Sequence, residues 1–313
     1  MATSEILCVG ELLWDSLPAG LFLGGAPYNV ASHLHAQGVP VGMVSRVGAD
    51  VLGSEALQRL ARNGIATGLV QIDPEHATGM VAVTLDGDGI PSYEIVEPAA
   101  WDFIELRPGL RERAAGAAAI VFGSLAQRGP VTRATVERLC EVDVPKVFDV
   151  NLRPPYEDPE VVRHSLAHAD VVKINDHELR RMAEWYDLPA GLREATGALA
   201  ERFGCRTVCV TRGGEGAALL NEGRWSEHAG YRVEVKDTVG AGDAFLAAFL
   251  TGLLAGLDDR ALLQHANLLG AYVATQPGAV PVYQPETLAL ILAVNDEKVP
   301  AEATFFARRG AEG

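Results

Sequence analysis

Short apolar runs alternate with helix-patterned stretches along most of this chain, and that alternation leaves few folds open. The runs at 6–10, 41–47, 118–122, 147–150, 171–174, 207–211 and 217–220 read as strands. Several are apolar on both faces, as strands buried inside parallel sheets are. Helical patterns fill the intervals at 27–37, 53–63, 131–140, 160–168, 177–186 and 192–203. The expectation is an α/β chain with a doubly wound, mostly parallel sheet and helices on both faces. After a hairpin-like stretch around Arg224-Trp225 and 231–235, further helices are expected at 241–255, 262–275 and near 286–294.

One stretch breaks the rhythm. Residues 78–85 alternate at period two, run into Asp86-Gly87-Asp88-Gly89 and resume at 92–96. That pattern predicts an antiparallel hairpin with a Gly/Asp turn, a flap inserted between βα units. The acidic turn lacks the twelve-residue spacing of a calcium loop. No repeat or linker divides the chain, so a single domain over 1–313 with a small lid is expected. The polar, aperiodic tail at 295–313 is expected to fray.

Charge narrows the partners. Forty-one acidic residues against 26 basic ones give a formal net charge of −15. Such a chain is repelled by nucleic acid and by anionic membranes, so any phosphorylated ligand needs a local set of donors. The four cysteines are scattered with no CxxC pair, as buried thiols in a reducing compartment would be. No apolar run reaches a membrane span, and the N-terminus lacks the pattern of a signal peptide, so a cytoplasmic protein is expected.

The strongest motif is Asp237-Thr238-Val239-Gly240-Ala241-Gly242-Asp243-Ala244-Phe245, just ahead of a long apolar helix. Two glycines and a small residue let backbone N–H groups converge at a helix start, where the dipole favours anions. Asp243 would lie in the first turn, placed to act as a general base for a hydroxyl attacking phosphorus. A plain dipole partner and a chain turn account for the same residues. The second motif is Gly24-Gly25-Ala26-Pro27-Tyr28-Asn29, a glycine pair leading into a helix. Asn29 could meet a hydroxylated ligand or simply face solvent. Asp149-Val150-Asn151-Leu152-Arg153 follows a strand, where open α/β sheets place their ligands. Asn175 and Glu178 share a helical start and also spell a capping box. Thr211-Arg212-Gly213-Gly214-Glu215-Gly216 allows close approach of a nucleotide, or merely a tight turn. There is no GxxxxGK[ST] loop and no GxGxxG in the first βα turn. His164 and His168 lack a third ligand for zinc.

Taken in order, these motifs resemble the ribokinase-like (PfkB) carbohydrate kinases, and the fructokinase branch most of all. The resemblance runs from Ile6 to about Pro285. It implies a ribokinase-like fold with a β lid from about 11–22 and 78–103, and transfer of the γ-phosphoryl of ATP to a sugar hydroxyl. Asp243 would be the base, with the N–H groups of Gly240, Ala241 and Gly242 around the transferred phosphoryl. Asp15, Gly24, Gly25 and Asn29 match sugar-gripping positions, and Arg153 matches a basic residue near the phosphate path. Trp101 would either cover the sugar ring or belong to the core. Lys173, Asn175, Thr211, Gly213, Gly214, Gly216 and Asn267 match the nucleotide side. Asn175 and Glu178 would organise Mg²⁺ through water, and Asp237, Val239 and Gly278 a monovalent cation such as K⁺. The Gly10–Asp15, Gly24–Ala31 and Ala100–Asp102 wording points to fructose as acceptor. Ribose, 2-keto-3-deoxygluconate, another ketose or a nucleoside are the alternatives, and a non-catalytic sugar or nucleotide sensor is the rival of another class. Only eight residues separate Asp15 from Gly24, so the size of the lid, and any homodimer built from it rather than a monomer, stays open.

Overall fold

The structure is a computed structural model and describes residues 4–17, 20–85 and 91–295. The chain forms two compact units, Met1–His35 with Pro40–His168, and Ala36–Val39 with Ala169–Gly313. The first contains strands β1 (Ile6–Val9), β2 (Leu13–Leu17), β3 (Gly20–Gly24), β4 (Val41–Gly48), β5 (Val70–Asp73), β6 (Gly79–Leu85), β7 (Pro91–Ile95), β8 (Ala119–Gly123) and β9 (Lys146–Asp149). Its helices are α1 (Ala26–Ala36), α2 (Val51–Arg62), α3 (Leu110–Ala115), α4 (Pro130–Cys140) and α5 (Pro159–His168).

Five of these strands pair in the order β5-β4-β1-β8-β9, every pair parallel. Ile6 stands opposite both Val41 and Ala119, which sets the register of the centre. All four residues of β1 and all eight of β4 are buried, as the doubly apolar runs required. Because neighbours are parallel, the chain leaves β1, β8 and β9 at one edge. Gly10, Ser124 and Val150 follow one another along it, and the Ser124 hydroxyl donates to the Val150 carbonyl at 2.6 Å.

The other four strands form a separate sheet in the order β3-β2-β6-β7. β6 and β7 are the expected hairpin, with Val83 opposite Tyr93. β2 and β3 pair antiparallel, with Asp15 opposite Phe22, and β2 lies parallel to β6. Asp15, Val81 and Ile95 are thereby opposite one another in a single row across the sheet.

The second unit contains β10 (Val171–Asn175), β11 (Thr207–Thr211), β12 (Ala217–Asn221) and β13 (Arg224–His228). Its helices are α6 (Asp176–Tyr186), α7 (Leu192–Phe203), α8 (Ala241–Leu254), α9 (Asp259–Ala274) and α10 (Pro285–Val294). β10 and β11 are parallel, whereas β11, β12 and β13 form an antiparallel meander. The core packs α8 and α9 through Phe245, Phe249, Leu262 and Leu269.

Several expectations need correction. β5 and α3 carry no strong apolar period and were not foreseen. Residues 231–235 form no strand. The Arg232 N–H donates instead to the Asn295 side chain at 2.9 Å, and the Lys236 N–H to the Ala274 carbonyl at 2.8 Å. The turn at 86–90 and the tail after 295 lie outside the described residues. All four cysteines are buried thiols outside any disulfide, and burial pushes those of Cys140, Cys205 and Cys209 up to about 12. No described helix is long and apolar enough to cross a membrane.

Candidate active site

In the second unit the chemistry gathers at the start of α8. Gly240 caps the helix at φ 78°, and a Cβ there would lie 2.6 Å from Ala279 Cα, so the backbone itself demands glycine. Asp243 sits in the first turn and is buried. The Ala241 N–H donates to the Thr238 carbonyl at 3.2 Å. The middle amide of the expected trio of anion donors is thus drawn into the turn in this structure. Gly242 has a further role. A Cβ on it would come within 3.1 Å of Lys173 Nζ, so the missing side chain lets this buried ammonium from β10 approach the helix start. A cation and a helix N-terminus then favour negative charge at one place.

Beside it lies a cavity of about 270 Å³, lined among others by Thr211, Gly214, Val233, Phe245, Asn267 and Ala271. Gly216 shapes its edge at φ 80°, where a Cβ would stand 2.0 Å from the His228 carbonyl oxygen. Asn267 Nδ2 donates one N–H back to the Leu263 carbonyl at 2.7 Å, which leaves its amide oxygen and its second N–H for a ligand. The walls are largely apolar with a few polar groups, the usual character of a site for a planar base.

Asn175 and Glu178 form the reciprocal capping box of α6. The Glu178 N–H donates to Asn175 Oδ1 and the Asn175 N–H to Glu178 Oε2, both at 2.8 Å. Asp237 clasps two loops, accepting from the Val239 N–H at 3.0 Å and the Gly278 N–H at 3.1 Å. Among the described residues no three His, Cys, Asp or Glu side chains cluster to hold a metal.

In the first unit the hydroxyl-gripping candidates lie on or beside β2, β3 and α1, with Arg153 after β9. A Cβ on Gly24 would lie 2.4 Å from Asp15 Oδ2, so β3 presents its bare backbone to this carboxylate. Burial raises the Asp15 pKa, and the Arg153 guanidinium pulls it the other way. Gly25, at φ 110°, closes on the Glu11 carbonyl, and Glu11 Oε1 accepts from the Ala26 N–H at 3.2 Å. Asn29 is buried, not a solvent-facing helix residue. Glu11 was missed, although a charge inside an otherwise apolar opening was the available signal. Trp101 belongs to the core: it is fully buried, with the Arg128 guanidinium 4.0 Å from its ring. That corrects its placement against the sugar.

Comparison with known proteins agrees with this geometry. The model of the pfkB family carbohydrate kinases matches residues 19–286. The chain belongs to that family. It is 30% identical to a fructokinase of Klebsiella pneumoniae over 296 residues, covering 88% of this chain and 95% of that protein. It is also 30% identical to an aminoimidazole riboside kinase of Salmonella typhimurium over 304 residues, covering 89% and 92%. A cysteine double mutant of Vibrio cholerae fructokinase, solved with fructose, ADP and potassium ion, superposes with a TM-score of 0.79. That match has 25% identity and covers 93% of this chain and 98% of that one. The ribokinase-like fold and the carbohydrate kinase class expected of this pfkB family member are thus in place.

Proposed function

We propose that this carbohydrate kinase transfers the γ-phosphoryl of ATP to a primary hydroxyl of a sugar, converting fructose to fructose 6-phosphate. The observation that carries the reading is the start of α8, where Asp243 is buried in the first turn after the left-handed Gly240 and the bare Gly242 lets the Lys173 ammonium approach. Asp243 accepts the proton of the attacking hydroxyl. Lys173 and the α8 N-terminus stabilise charge on the transferred phosphoryl, the form of catalysis phosphoryl transfer mostly uses. Thr211, Gly213, Gly214, Gly216 and Asn267 hold the nucleotide. Asp15, Gly24, Gly25 and Asn29 hold the sugar, with Arg153 balancing Asp15. A carboxylate shared between hydroxyls discriminates epimers, because an unmet buried acceptor costs about 1–3 kcal/mol.

Magnesium on ATP would neutralise phosphate charge, with Asn175 and Glu178 ordering its waters. Asp237 fixes Val239 and Gly278 side by side, and their carbonyl oxygens are suitable donors for potassium. Turnover should stop in excess chelator and rise when potassium replaces sodium. Equal rates in the two salts would remove the potassium site.

The riboside kinase relative favours a second acceptor class, so kcat/KM is to be measured on fructose, ribose, tagatose, glucose, 2-keto-3-deoxygluconate and aminoimidazole riboside. Fructose should rank first, with phosphorus NMR showing the 6-phosphate. Another acceptor ahead by more than about tenfold, near 1.4 kcal/mol of transition-state binding, would leave a kinase that is not a fructokinase.

A further inference from the structure

We infer that Arg128 is a positioning residue for the acceptor grip, holding the Asp15 sheet and the Arg153 loop in fixed relation. The inference rests on the reading of Asp15 and Arg153 as acceptor-binding groups, and all of its residues lie in the first unit.

Arg128 forms a bidentate pair with Asp102. Nε reaches Oδ1 at 2.7 Å and Nη2 reaches Oδ2 at 2.8 Å, with side-chain exposures of only 5% and 7%. Gly129 makes room for this pair, since a Cβ there would meet Asp102 at 3.1 Å. The guanidinium also stacks on two rings, 4.0 Å from the Trp101 centroid and 4.7 Å from that of Tyr156. A planar fork that pairs and stacks at once is something lysine cannot reproduce. So costly a burial of charge asks for a reason beyond stability, because apolar residues of the same volume often pack at least as well.

The contacts supply one. Arg128 Nη2 donates to the Val96 carbonyl at 2.9 Å, and the Val96 N–H donates to the Met80 carbonyl at 2.9 Å, so Arg128 grips the end of β7 where it leaves β6. The Asp102 carboxylate also accepts from the Ala99 N–H at 2.9 Å. Tyr156, the second ring on Arg128, donates its hydroxyl to the Ile95 carbonyl at 3.1 Å. Its N–H donates to the Arg153 carbonyl at 2.8 Å. Ile95 ends the row that runs through Val81 to Asp15. Two covalently distant segments, the Asp15 row and the Arg153 loop, thus share one support, and the Arg153 charge acts back on Asp15.

Arg128→Lys and Tyr156→Phe test this. Both keep charge or ring volume while removing the fork or the hydroxyl. Arg128→Lys is expected to raise KM for the acceptor about tenfold and Tyr156→Phe about threefold, with KM for ATP within about twofold in each. The Val96, Ala99 and Tyr156 amides should exchange hydrogen faster in Arg128→Lys, while those of α8 keep their protection. A lowered melting temperature with both KM values and the exchange pattern unchanged would reduce Arg128 to a structural residue and overturn the inference. So would parallel rises in both KM values. If Arg128→Lys does not fold, Tyr156→Phe decides alone by the same readings. If wild-type protein phosphorylates no acceptor offered, the acceptor reading fails separately, and the exchange pattern still supports or overturns the coupling.

Discussion

Asp243→Asn is expected to lose about 10²–10⁴-fold in kcat while folding normally. The substitution keeps the shape of a buried side chain and removes only its capacity to take a proton. Asp243 lies in the first turn of α8, so the lost charge also weakens its favourable interaction with the helix dipole, a matter of about 0.3–1 kcal/mol. That is too little to unfold the chain, and the melting temperature should fall by a few degrees at most. Nucleotide binding should persist or tighten, because one negative charge leaves the helix start that the Lys173 ammonium approaches. Steady-state kcat, calorimetric ATP affinity and thermal unfolding on one preparation separate these effects. A variant that keeps more than about half of the wild-type kcat would show that the base is another group. A variant that loses ATP binding along with turnover would move Asp243 from proton transfer to nucleotide binding.

The fold was legible wherever local pattern and tertiary demand agreed. Apolar runs such as 6–10 and 207–211 became buried strands, short enough for a sheet and apolar on both faces because both faces are covered. The motif at 237–245 was legible because its glycines answer to backbone geometry: Gly240 takes φ 78° against Ala279, and Gly242 admits Lys173. β5 escaped notice because two of its four residues are polar, and both are buried. Gln71 is paired with the Glu105 backbone and Asp73 with Arg46, partners far along the chain. The stretch 231–235 alternates like a strand, yet Val233 and Val235 line the cavity, the Arg232 amide goes to the Asn295 side chain and that of Lys236, just beyond, to the end of α9. Trp101 was ambiguous for the same reason. Its environment is set by Arg128, 27 positions later, and by Gly79, whose missing side chain admits the indole. Residues whose role depends on one distant partner carry no periodic signal, and the Arg128–Asp102 pair is of that kind.

Gly240→Ala should be nearly as damaging as loss of the base, though the methyl touches no reacting atom. Two costs add. Alanine in the left-handed region is unfavourable by about 1–2 kcal/mol, which the fold can absorb. The second is a collision, because the new Cβ would lie 2.6 Å from both Cα and the carbonyl oxygen of Ala279. Backbone cannot rotate aside as a side chain would, so either the 278–279 turn or the start of α8 must move. The turn is tethered, since Asp237 holds the Gly278 N–H with one carboxylate oxygen and the Val239 N–H with the other. The displacement therefore falls partly on α8, carrying Gly242 and Asp243 with it. A shift near 1 Å in a reacting group costs about 10²-fold, and that is the expected fall in kcat. Gly256→Ala is the control. Gly256 has φ 71° beyond the end of α8, and a Cβ there meets nothing within 4 Å. It suffers the same conformational strain without the collision, so it should lower the melting temperature comparably and leave kcat within about twofold. If both variants behave alike, strain alone explains Gly240 and the rigid placement of the α8 start loses its support. If Gly240→Ala alone loses turnover, the close approach to Ala279 is what holds Asp243 where proton transfer requires it.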